Sequence, residues 1–142
     1  MSDDAPWTVA TANAAIPKVK ELLAQARVAA DRVREMQANL NDLRIVHGDQ
    51  VLSPAGQGHA EFAEFLARWE EARSDLREVA AGFGRLGVEL KDVDSGLVDF
   101  RGKVGERIAY LCWKDGEERI THWHELDAGF QGRKPLPTGP EP

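Results

Sequence analysis

Two apolar seams, each stepping by three and four residues, restrict this chain more than any other feature of its 142 residues. In the first, over residues 11–46, Ile16, Val19, Leu23, Ala26, Ala30, Val33 and Leu40 recur, with polar Gln37 filling one slot. Lys18, Lys20, Glu21, Arg27, Asp31, Arg32, Arg34 and Glu35 lie between them. A helix gathers such a set on one stripe and turns the charges to solvent. The second seam, over residues 60–86, is more regular: Phe62, Phe65, Trp69, Ala72, Leu76, Val79, Phe83 and Leu86. The stretch HGDQVLSPAGQGH (47–59) between them is rich in Gly, Pro and Asp and reads as a connecting loop, too short for a parallel return. The two helices are expected to pack antiparallel at a shallow angle, with Ala26 and Ala30 facing larger Phe and Trp side chains. Pro17 has no N–H to donate and crowds the carbonyl four residues back. A short turn over residues 11–16 is therefore expected, then a fresh or kinked helix with Pro17 in its first turn.

Gly87 stands where a left-handed helix cap belongs, and after it the pattern changes. Short β runs at 88–91, 97–100, 108–113 and 120–124 are separated by turn residues at 94–96, 102–105 and 115–116. Asp115-Gly116 is the strongest hairpin signal in the chain. As the two central turn residues, they set Trp113 opposite Glu118, Leu111 opposite Ile120, Ala109 opposite His122 and Arg107 opposite His124. The expected fold class is α+β: a long, coiled-coil-like antiparallel two-helix hairpin followed by a small, mainly antiparallel β-sheet. One domain is expected over residues 1–135, with the hairpin at 11–86 and the β subdomain at 88–135, leaving 136–142 as a disordered Pro-rich tail.

A formal net charge of -6 supplies no basic face for a phosphate backbone, which argues against nucleic acid. Cys112 is the single cysteine, so no intramolecular disulfide and no cysteine cluster for zinc can form, in keeping with a reducing compartment. The opening MSDDAPW is acidic with no apolar stretch behind it, unlike a signal peptide. The apolar runs fall far below the roughly 18–20 residues that span a bilayer. A cytoplasmic protein without membrane contact is expected.

The stretches WTVATANAAIPKVKELL (7–23), GVELKDVDSGLVDF (87–100) and YLCWKDGEERITHWHELDAGFQGRKPL (110–136) together resemble one family of small, mostly bacterial and archaeal proteins catalogued as a domain of unknown function. The resemblance covers essentially the whole chain. It rests most on Leu-Cys-Trp, Gly-Glu, Trp-His-Glu, Gly-Phe and Gly-Arg at their spacings in the C-terminal part. It implies the same architecture and brings no reaction, substrate or cofactor with it.

The polar groups that can carry chemistry lie in the β half. His122 and His124 are two apart, so on a strand both point to one face while Trp123 points to the other. With Glu125, and with Asp99 or Glu89 from a neighbouring strand, they form a candidate site for a divalent metal such as zinc, iron or manganese. The plainer reading has His122 packed beside Ala109 and Ile120, and His124 paired with a carboxylate or bonded near the sheet edge. Trp113, Trp123 and Arg133, with Phe130, are candidate ligand-binding residues; aromatics near a guanidinium can line a pocket. They can equally form a satellite core that holds the C-terminal segment on the sheet. Arg133 can fork onto a carboxylate such as Asp99 or Glu125, or receive an anionic ligand. Cys112, mid-strand between Leu111 and Trp113, reads as buried packing more than as a nucleophile. Ser53 and Ser95 have no His or Asp at an informative spacing.

Three motif matches fail on context. Residues 82–87 spell GxGxxG, but they close a helix where a dinucleotide loop must open one. His124-Glu125 begins an HExxH zinc helix, yet Ala128 stands at its second histidine. A calcium loop starting at Asp92 would need Gly and Glu where Leu97 and Lys103 stand. The functional expectation is a non-catalytic interaction or ligand-binding module that forms a homo-oligomer, or engages a partner protein, through the helical hairpin. The alternative is a small metal-dependent, hydrolase-like enzyme using the His/carboxylate site.

Overall fold

A computed structural model describes residues 6–52 and 60–137. Most of the expected connecting loop, Ser53 included, and the tail from residue 138 onward lie outside the described residues. The elements run α1 (Val9–His47), a 3-10 turn (Asp49–Leu52), α2 (Ala60–Leu86), β1 (Val88–Asp92), β2 (Leu97–Val104), β3 (Arg107–Lys114), β4 (His122–His124) and β5 (Lys134–Pro135). The strands form one sheet in the order β1-β2-β3-β4-β5, and every neighbouring pair is antiparallel. This is the expected α+β arrangement of a helical hairpin followed by a sheet, with β5 as an additional edge.

α1 does not break at Pro17; it is continuous from Val9, with Pro17 inside it. Its start is built by Thr8 and Thr11. The Thr8 amide donates to Thr11 Oγ1 (2.9 Å) and the Thr11 amide donates to Thr8 Oγ1 (3.0 Å), which satisfies two orphan donors of the first turn. Val9, Ala12 and Ile16 are then buried on the same stripe as Val19 and Leu23. Burying that first stretch outweighs the hydrogen bond that proline removes from the ladder, a term of about 3 kcal/mol.

The described residues form two compact units, one from residues 25–80 and one that combines the chain before residue 25 with the chain after residue 80. In the first unit the two helices run antiparallel. Arg32 reaches across to Glu71 (4.0 Å) and Asp75 (3.3 Å). Farther along, Leu40, Val51 and Phe62 form a buried cluster against which Leu43, Phe65, Leu66 and Trp69 pack. Ala26, Ala30 and Ala72 are buried as their seams require, while Val33, Phe65, Trp69, Leu76 and Val79 are only half-buried.

In the second unit, one face of the sheet carries Val98, Phe100, Ala109, Leu111 and Trp113, all fully buried. Ala12, Val19, Leu23 and Phe83 from the helical segments of the same unit are buried with them. Gly87 caps α2 at φ 89°, with its amide donating to the Phe83 and Gly84 carbonyls (3.0 Å each). Trp7 extends the sheet edge beyond the start of β1. It bridges Gly102 in parallel, its amide donating to Arg101 O (3.0 Å) and its carbonyl accepting from the Lys103 amide (2.9 Å).

The β3–β4 register differs from the one that Asp115-Gly116 predicts. Tyr110 pairs with His124, Leu111 with Trp123 and Cys112 with His122, three residues away from the two-residue-turn register. The chain does turn at Asp115-Gly116, where the Glu117 amide donates to Lys114 O (3.0 Å). It does not pair at once, because Glu117 and Ile120 are held elsewhere. The Trp113 indole donates to Glu117 O (2.9 Å), and the Ile120 amide donates to Asn13 Oδ1 of α1 (2.7 Å). Ile120 is buried rather than paired. A shift by an odd number moves the strand's side chains to the opposite face. Trp123 therefore joins Leu111 on the apolar side, and both histidines join Cys112 and Tyr110 on the other.

Candidate functional site

On that second face, Asp99 of β2 pairs with Cys112 of β3, and Cys112 with His122 of β4. Alternation puts His124 on the same side, and its ring reaches diagonally to Asp99: Nε2 lies 2.9 Å from Asp99 Oδ2. Both side chains are almost wholly buried, at 3% exposure each, and Cys112 is fully buried. One donor atom from each of Asp99, Cys112 and His124 lies within 4.8 Å of the others. Asp99 Oδ1 is buried and has no hydrogen-bond partner.

The hydrogen bonds determine where the protons sit. His124 Nδ1 lies 2.9 Å from the Glu125 carbonyl oxygen. A carbonyl only accepts, so Nδ1 carries a hydrogen and donates it. The other ring nitrogen then faces a carboxylate oxygen at hydrogen-bond distance, and one proton must lie between them. Burial raises the Asp99 pKa above the usual carboxylate value, opposed by the adjacent His124 ring. Burial, and then the negative charge of Asp99, push the Cys112 thiol from its ordinary 9.0 up to about 12, with Arg133 opposing. That thiol is protonated at neutral pH and has no nucleophilic character in this state.

The other candidate residues divide between this cluster and the surface. His122 shares the face, but its Nδ1 is engaged with Thr121 Oγ1 (2.8 Å). Glu125 turns toward Arg107 and Lys134. Glu89 binds Lys91 (3.0 Å) and accepts from the Tyr110 hydroxyl, which holds the Glu89 carboxyl below its usual range. Trp113 is fully buried on the apolar face. Trp123 has two cations near its ring, with Arg107 5.7 Å and Lys134 5.1 Å from its centre. Arg133 takes Glu117 as its carboxylate, with Nη2 3.2 Å from both carboxylate oxygens, and also donates to Cys112 O (3.4 Å). Its ring partner is Phe130, 4.7 Å away. Arg133 thus ties the turn after β3 and the segment before β5 to the backbone of the cluster's own cysteine.

Sequence reasoning paired Asp99 with His124 as candidate ligands but missed Cys112 as their neighbour. A signal for it was present. Setting Trp123 opposite Leu111, as the apolar alternation of β3 suggests, brings the histidines onto the Cys112 side.

Fold and site together define a small α+β protein in which a helical hairpin leads into an antiparallel sheet holding a buried Asp–His–Cys cluster. The chain belongs to the family described as an uncharacterized conserved protein (DUF2203), whose model matches residues 6–136. No curated protein and no solved structure matches it. Among the described residues, no helix is long and apolar enough to cross a membrane.

Proposed function

We propose that this protein is a non-catalytic interaction module and that its helical hairpin binds a second copy of the same chain. The supporting observation is an apolar surface at one end of the hairpin. Ile45 and Val46 are 82% and 74% exposed. Nearby, Leu43, Phe62 and Phe65, with Glu64 and Arg68, line an open cleft of about 270 Å³. Exposed apolar side chains and an open cleft at the same end of the hairpin give a second copy, meeting it about a two-fold axis, apolar surface to bury. The half-buried Phe65 and Trp69 offer further apolar area, as expected when two helices alone cannot cover both stripes. Glu64, Arg68, Glu70 and Arg73 place both charge signs along α2, so two copies meet without a single-sign field between them.

Sedimentation of the full chain across micromolar concentrations tests this reading. A dimer is expected, and Ile45→Lys combined with Val46→Lys should shift it to monomer while leaving the circular dichroism spectrum unchanged, with a melting temperature that no longer depends on protein concentration. A wild-type protein that stays strictly monomeric over the range refutes self-association.

The metal-dependent hydrolase reading draws its support from the Asp99, Cys112 and His124 donors. A catalytic metal keeps a coordination position open to water and substrate. Side chains as covered as these favour an ion held for structure over one used for hydrolysis.

A further inference from the structure

We infer that Asp99, Cys112 and His124 form a structural binding site for one zinc-class divalent cation, independent of the self-association proposed for the hairpin. Carboxylate, thiolate and imidazole are the ligand types that zinc takes, and the sulfur excludes magnesium and calcium as the preferred occupant. The three donor atoms lie within 4.8 Å of one another before any ion is present. Ligand atoms around zinc stand about 3.5 Å apart, given bonds of about 2.0–2.3 Å, so the widest pair closes by roughly 1 Å, while the hydrogen-bonded His124 Nε2 and Asp99 Oδ2, 2.9 Å apart, open slightly as their shared proton leaves.

Two further features point to an ion. Asp99 Oδ1 is a buried acceptor with no close hydrogen-bond partner, and the Cys112 thiol beside the carboxyl is only a weak donor, an arrangement that costs free energy unless something positive meets it. The imidazole is also oriented as metal-bound imidazoles are, with Nδ1–H anchored on the Glu125 carbonyl (2.9 Å) and Nε2 directed into the cluster. Asp99 can present both oxygens, giving four donor atoms in all. Charge balances: one thiolate, one carboxylate and one neutral imidazole around a doubly positive ion sum to zero, so no net charge is buried. On binding, the thiol proton and the proton between Asp99 and His124 leave to solvent.

His122 and Glu125 are not ligands in this assignment. Their side chains are engaged with Thr121 and with Arg107 and Lys134.

The test uses the full chain without a polyhistidine tag. Metal is stripped with a chelator, and zinc chloride or cobalt chloride is then added. Zinc is expected to bind at about one equivalent and raise the melting temperature, and cobalt should develop a sulfur-to-metal charge-transfer band in the near ultraviolet. Cys112→Ser should abolish that band and weaken zinc binding at least about tenfold. His122→Ala should leave both unchanged. Asp99→Asn, which keeps shape and hydrogen-bonding capacity, guards against loss through misfolding. It should retain the circular dichroism of the stripped wild type and still lose the zinc-induced rise. The inference is overturned if zinc leaves the wild-type melting temperature unmoved, if cobalt gives no sulfur band, or if the His122 variant loses binding as fully as the Cys112 variant.

Discussion

Among the described glycines, Gly102 alone has another stretch of backbone too close for a side chain, and replacing it by alanine perturbs that approach. A Cβ at this position would lie 2.4 Å from the Trp7 carbonyl oxygen, 3.1 Å from the Trp7 carbonyl carbon and 2.9 Å from Leu111 Cδ1. The leucine methyl can move, but the Trp7 backbone can yield only by leaving the sheet edge. Its departure forfeits the hydrogen bonds to Arg101 O and from the Lys103 amide, each about 1 kcal/mol. Also lost are the edge-on contact with Phe100, at 5.1 Å between centroids, and the bond from the indole N–H to Gly87 O. Together these add about 1–2 kcal/mol. Against this, alanine recovers about 0.5–1 kcal/mol over glycine in the unfolded chain.

The net expectation for Gly102→Ala is a loss of about 3 kcal/mol, or a melting temperature lower by roughly 10 °C. Gly84→Ala is the natural control: nothing lies within 4 Å of its Cβ position, and it sits inside α2. That change should stabilise by about 0.5–1 kcal/mol. Urea unfolding followed by circular dichroism measures both, and hydrogen exchange should show the Lys103 amide deprotected only in the Gly102 variant. If the two substitutions agree in sign, or if Lys103 stays protected in Gly102→Ala, the reasoning about the Trp7 edge is wrong.

Two other perturbations probe features that depart from simple expectation. Pro17 is exposed within an unbroken helix. Pro17→Ala should therefore restore a donor to the carbonyl of Asn13 and stabilise by about 1–2 kcal/mol after the unfolded-state entropy is offset; a lower urea midpoint would count against the continuous helix. In the metal-free protein, the Cys112 thiol ionises at about 12 when folded and at its ordinary 9.0 when unfolded. Between those values the unfolded chain has released a proton that the native state still holds, so stability is full below about pH 9 and declines as pH rises. From about pH 8 to about pH 10 the wild type should lose about 1.4 kcal/mol more than Cys112→Val; equal slopes in urea titrations would show that the thiol is not held in its protonated form.

Local order was legible in the residues themselves. A three-four recurrence of apolar side chains has one economical solution, a helix with a buried stripe. The buried positions Val19, Leu23, Ala26, Leu40, Phe62, Ala72 and Phe83 lie on the stripes the spacing picks out. Gly87, in a conformation that side chains resist, marks the helix end for the same local reason. The cores of β1 to β4, and the fact that His122 and His124 share one side of their strand, follow from alternation alone; the extension of β2 through the expected turn at 102–105, the fifth strand and the face the histidines occupy do not.

Tertiary contacts decided what local chemistry left open. Asp115-Gly116 is a sound turn signal, but strand register is a non-local quantity, and here Asn13 on α1 and the Trp113 indole hold the intervening residues out of the ladder. The resulting shift brings His124 to Asp99, 25 positions away along the chain, and to the side of Cys112. Pro17 stays helical because the stripe before it is buried, a gain that no window of sequence around the proline contains. Periodicity is written in neighbours; the pairing of distant edges is settled only when the layers meet and each buried polar group must find, or lack, its partner.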